Sequence, residues 1–113
     1  MKAVPMIDAR LAAARLGVAA LAVTFVSLPA QASQELARSK NCVACHHAER
    51  RMIGPPFTAI AARYANDDAT VRTLSAKVLA GGSGNWGQMP MPAQANLSQD
   101  EVEALVRYIL SYK

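Results

Sequence analysis

The sequence predicts an all-α domain of about four short helices wrapped around something other than their own side chains. Three observations carry this reading. Apolar residues recur at helical spacing in three separate segments, a fourth opens on a cap residue, and no segment alternates with period two for long enough to be a strand. Aromatic residues are only 5% of a chain that is 52% hydrophobic, and alanine supplies much of the difference, so side-chain volume for a core is short. A length of 113 residues allows one domain and not two.

The first 32 residues read as an address label rather than as part of that domain. Lys2, Arg10 and Arg15 make the start basic, relieved only by Asp8, and an uncharged run rich in Ala, Val and Leu follows from Leu16 to Leu28. Pro29 is expected to break any helix there, and Ala30-Gln31-Ala32 has the small-x-small pattern of a signal-peptidase site. Cleavage after Ala32 would divide the chain into a secretory signal at 1–32 and a working domain at 33–113. The run is short for a membrane span, and nothing after it approaches the roughly 20 apolar residues a span needs. Three basic residues and one acid leave with the signal, so the formal charge of +4 overstates how basic the working domain is. Its largest basic group is Arg50-Arg51, thin for a nucleic-acid partner.

Each helix has its own signals. Ser33 is placed to cap a first helix through about Lys40. Phe57, Ile60, Ala61 and Tyr64 share one face of a second. Asp67 or Asp68 caps a third, with Val71, Leu74 and Val78 on one face and Gly81-Gly82 ending it. The fourth is the clearest: Ser98 and Glu101 form a capping box, followed by an apolar stripe of Val102, Leu105, Val106 and Ile109. Residues 52–56 and 81–96 are rich in Gly and Pro, and a loop as long as the second, in so small a domain, usually serves function.

Cys42-Val43-Ala44-Cys45-His46 is a Cys-x-x-Cys-His sequence, the attachment site of a c-type haem. Two thiols spaced by two residues, on a turn expected to open a helix, reach the two vinyl groups of one porphyrin edge. The histidine that follows is then held beneath the iron. A thioredoxin-like pair would need a strand before it and a βαβ setting, and zinc would need four converging ligands. A plain Cys42–Cys45 disulfide is the remaining alternative. The haem reading also accounts for both cysteines of an exported chain and for the missing core volume.

The second axial ligand follows by elimination only in part. His47 is the other histidine, and as the neighbour of His46 it cannot reach the opposite haem face; it reads as a surface residue on the helix. Met1 and Met6 leave with the signal, and Met52, close after His46, reads as an apolar packing residue. Met89 and Met91 remain, in the long loop. Prolines 90 and 92 stiffen the chain around Met91, and Pro90 also extends Met89, so elimination does not separate them.

Residues 33–113 resemble the small bacterial class I cytochromes c of the cytochrome c-551 type. The matching landmarks are Lys40 to His46, Ile53-Gly54-Pro55, Gly82 to Pro92 and the closing Tyr108 to Lys113. The resemblance implies a class I cytochrome c fold around one covalent haem c, with His46 and Met91 as iron ligands and Met89 as a non-ligand. It implies that the Pro55 carbonyl accepts the His46 ring N–H, that Trp86 donates its indole N–H to a haem propionate, and that Lys77 lies near the same propionates. Gln94 stands where the family has Asn or Gln near the Met sulfur; the chain departs from the family in one extra residue before the last helix and in Tyr108, which replaces the usual Trp of that helix.

The expected function is that of a periplasmic electron carrier, monomeric and without substrate turnover. It would dock transiently with redox proteins: a membrane electron donor on one side, a terminal oxidase or nitrite reductase on the other. Export would run through a Sec-type signal. A haem-based binder or sensor with an open sixth site is the alternative class, which carbon monoxide binding would distinguish.

Overall fold

The computed structural model describes residues 2–3, 17, 20–24 and 29–113. Arg10, Arg15 and most of the run from Leu16 to Leu28 lie outside the described residues. Four α-helices follow in order: α1 Pro29–Ser39, α2 Phe57–Arg63, α3 Asp68–Ala80 and α4 Gln99–Leu110, with one 3-10 turn at Cys42–Ala44. Among the described residues there is no strand beyond an isolated antiparallel bridge between Gly82 and Met91. None of their helices is long and apolar enough to cross a membrane.

Helix α4 is the hub, packing against α1, α2 and α3. Its capping box is complete: Ser98 Oγ accepts the Glu101 N–H at 3.1 Å, and Glu101 accepts the Ser98 N–H at 2.9 Å. Val102, Leu105, Val106 and Leu110 are buried along it, while Ile109 borders a cavity. Burying Leu105 and Leu110 contributes about 1.5–3 kcal/mol each. Ala37 of α1, Val71 of α3 and Leu97 complete this core.

Helix α3 is capped by Asp67, whose carboxylate accepts the Thr70 N–H at 2.8 Å, and it ends at Gly81 with φ 68°. Helix α1 differs from expectation. It begins at Pro29 rather than after Ser33, because the first helical position needs no N–H and suits the fixed φ of proline. Ser33 is accordingly buried inside the helix instead of capping it.

Candidate functional site

One cavity of about 630 Å³ opens between the 3-10 turn, α2, α3, α4 and the loop that follows α3. Cys42, Cys45, His46, Pro55, Lys77, Trp86 and Met91 all border it, so the seven residues assigned from the sequence to the cofactor and its iron meet in one place. Phe57, Ile60, Leu74, Val78 and Ile109 make the walls largely apolar.

The cysteine wall is a tight local structure. Asn41 enters at φ 60°, and the Cys45 and His46 N–H groups both donate to the Cys42 carbonyl, at 3.2 and 3.0 Å. Both thiols are free and half-buried, and burial raises the Cys42 thiol pKa, opposed in part by its backbone hydrogen bond. Among the described residues no group of three or more His, Cys, Asp or Glu is placed to hold a metal ion. No α-helix continues directly from the turn; the chain bends after His47, whose Nδ1 accepts the Glu49 and Arg50 N–H groups at 3.1 and 3.3 Å. His47 is thus a turn cap rather than a residue on a helix.

His46 is held on three sides. Its Nδ1 lies 2.7 Å from the Pro55 carbonyl oxygen, so Nδ1–H donates there and Nε2 keeps its lone pair. Phe57 stacks on the ring at 5.7 Å between centroids. Gly54 lies against it so closely that a Cβ there would sit 2.5 Å from His46 Cε1. Behind Phe57 stand Tyr112 and then Tyr108, whose hydroxyls lie 2.5 Å apart; burial, with that bond, pushes the Tyr108 hydroxyl up to about 12.

The loop after α3 brings up the other wall. Gly82 and Met91 exchange both backbone hydrogen bonds, and Gln94 N–H donates to the Val78 carbonyl at 3.1 Å. Met91 is half-buried, whereas Met89 is 66% exposed. The Gln94 amide donates to the Pro92 carbonyl at 3.1 Å, inside the loop itself. Met52 is exposed rather than packed.

Trp86 stands at the rim, edge-on to Tyr64 at 6.4 Å. Two arginines that the sequence reading did not place at the site meet it. Arg63 lies 4.7 Å over the indole and donates to the Asn85 carbonyl at 2.5 Å; Arg51 donates to the Trp86 carbonyl at 3.1 Å. Gly54 was legible only as a landmark, not as the glycine that admits the His46 ring.

Residues 30–113 match the family model for cytochrome c. The chain belongs to the cytochrome c family, whose members transfer electrons through covalently bound haem c. It is 42% identical to cytochrome c-552 of Nitrosomonas europaea over 98 residues, covering 87% of this chain and 95% of that one. It is 40% identical to cytochrome c-551 of Azotobacter vinelandii over 83 residues, covering 74% of this chain and all of the other. The crystal structure of wild-type Nitrosomonas europaea cytochrome c552 superposes with a TM-score of 0.67 at 42% identity, covering 71% and 99% of the two chains. The fold is that of a class I cytochrome c, and the cofactor is haem c. The cavity fits it: two free thiols on one edge, a histidine with Nδ1 already engaged, a thioether sulfur on the loop wall, and apolar sides.

Proposed function

We propose that the chain is a periplasmic, single-haem electron carrier that serves as a respiratory donor and turns over no substrate. The observation that carries this reading is the shared cavity, bordered by Cys42, Cys45, His46 and Met91 at once. Residues 1–32 are assigned as a cleaved export signal and 33–113 as the working domain, with a membrane donor and an oxidase or nitrite reductase as transient partners.

Cys42 and Cys45 would tether the cofactor through thioethers, and His46 and Met91 would ligate its iron, which supplies one-electron chemistry when bound. The Pro55 carbonyl orients the His46 ring and raises its basicity. Prolines 90 and 92 and the Gly82 bridge keep Met91 in place through the redox cycle, so little reorganises on transfer. Sulfur ligation and apolar walls favour the less charged reduced state and raise the potential. Trp86 and Lys77 at the rim would meet the propionates. Val43, 45% exposed, and Ala44 leave the cysteine edge uncharged for close approach of a partner. Docking of this kind is weak and only modestly salt-dependent.

The absorption spectrum of the mature protein, oxidised and then reduced, tests the reading. A narrow ferrous c-type band with a weak far-red ferric band is expected. Met91→Ala should abolish the far-red band, and Met89→Ala should leave it. A high-spin spectrum that responds to carbon monoxide would overturn Met91 as ligand and move the function to small-ligand binding.

A further inference from the structure

Arg51 and Arg63 come from different segments, one from the bend after the 3-10 turn and one from the end of α2, yet both reach the turn of Asn85 and Trp86. Arg63 Nη1 donates to the Asn85 carbonyl at 2.5 Å and Arg51 Nη2 to the Trp86 carbonyl at 3.1 Å. The guanidinium of Arg63 also lies 4.7 Å over the indole and 5.5 Å from the Tyr64 ring. The turn that presents Asn85 and Trp86 is closed beneath them, with Gly84 N–H donating to the Gly87 carbonyl at 2.7 Å.

Neither arginine has a carboxylate partner among the described residues, whose ion pairs are Lys40–Glu101 and Arg107–Asp68. Their charge is therefore not neutralised locally. It stands beside Trp86, and Lys77 borders the same cavity. A planar guanidinium suits both tasks, since it stacks on an aromatic face while its fork reaches a carbonyl. An ammonium would supply the charge without the flat face.

We propose that Arg51 and Arg63 are positioning residues for Trp86. They fix the Asn85–Trp86 backbone and the indole plane at the rim, and their two charges favour an anionic cofactor edge there and the reduced state of the centre. This rests on the reading of the cavity as the haem site with Trp86 at the propionates. Close positive charge disfavours the more positive, oxidised centre, so removing it lowers the midpoint potential. A cation over the indole also polarises its N–H.

The test uses the mature haem-loaded protein, comparing Arg51→Gln, Arg63→Gln, Arg63→Lys and Trp86→Phe with Arg72→Gln. Arg72 is an exposed cation on α3 that does not border the cavity. Midpoint potential is one readout. The indole N–H signal of the sole tryptophan, in reduced 15N-labelled protein, is the other. Arg51→Gln and Arg63→Gln should each lower the potential by more than Arg72→Gln does. Arg63→Gln should also move the indole signal and speed its exchange with solvent, whereas Arg63→Lys should keep the potential but not the indole position. If Arg63→Gln fails to take up haem, Arg51→Gln and Arg63→Lys carry the same comparison. Potentials equal to that of Arg72→Gln, with the indole unmoved, would overturn the proposal; were Trp86→Phe still to shift the potential, the haem reading would stand without it. No effect from Trp86→Phe or from either Gln variant would overturn the placement of the propionates as well.

Discussion

Gly82 and Met91 exchange backbone hydrogen bonds, Met91 N–H to the Gly82 carbonyl at 2.8 Å and Gly82 N–H to the Met91 carbonyl at 3.0 Å. This bridge ties the methionine to the end of α3 instead of leaving it at the tip of a free loop. It needs the residue before it to be glycine. At Gly81 φ is 68° and ψ is −174°, a combination that essentially only glycine adopts, and a Cβ would lie 2.6 Å from both the Met91 oxygen and the Ala93 nitrogen. Gly81→Ala should therefore cost roughly 1–3 kcal/mol of stability. It should also loosen Met91, read as a weaker far-red ferric band and faster carbon monoxide binding to the reduced form. A variant as stable as wild type with an unchanged band would refute the coupling.

On the opposite wall, Gly54 is the glycine that the His46 ring requires. A Cβ there would sit 2.5 Å from Cε1 and 2.8 Å from Nδ1, so the ring must tilt away from the Pro55 carbonyl. Gly54→Ala should lower thermal stability by about 1–3 kcal/mol, as overpacking does, and should alter the midpoint potential. Val71→Ala is the control, because Val71 is buried in the core of α3 and does not border the cavity. It should destabilise without moving the potential. Equal effects of the two on the potential would count against a specific role for Gly54.

Helices α2, α3 and α4 were legible because their signals are local: apolar spacing from Phe57, and the cap side chains of Asp67 and Ser98 three residues from the N–H groups they bind. The start of α1 was not, since proline reads as a breaker from one side and as a first helical residue from the other. His47 was misplaced on a helix because the 3-10 turn before it closes without an α-helix following. The seven residues assigned to the cofactor and its iron, some by local motif and some by resemblance, border one cavity. The arginine contacts to Asn85 and Trp86 join residues 22 and 35 apart, and no periodicity carries that information.

Ser75 is fully buried in α3 and its hydroxyl has no hydrogen-bond partner among the described residues. A buried hydroxyl left unpaired forfeits its bonds to water with nothing returned. Ser75→Ala removes that penalty at the loss of one small atom, and alanine is also the better helix former. The variant should be more stable by about 1 kcal/mol, seen as a higher denaturant midpoint at unchanged slope, with the redox potential unaffected. A loss of stability would show that the hydroxyl is satisfied in solution.

Two exposed carboxylates make the fold acid-sensitive through their caps. Asp67 is held below the usual carboxylate range chiefly by the Thr70 N–H, and Glu101 chiefly by the Ser98 N–H, with the Lys40 charge adding to it. Both groups have folded pKa values lower than in the unfolded chain, where carboxylates titrate near about 4. The stabilisation they supply is therefore complete above that value and is lost as pH falls through the folded values. Asp67→Asn keeps a capping side chain but nothing that titrates there, and Glu101→Gln does the same for the capping box. Thermal unfolding at pH 7 and pH 3 should show a smaller drop in Tm for each variant than for wild type. A drop of the same size in both would place the acid sensitivity elsewhere in the chain.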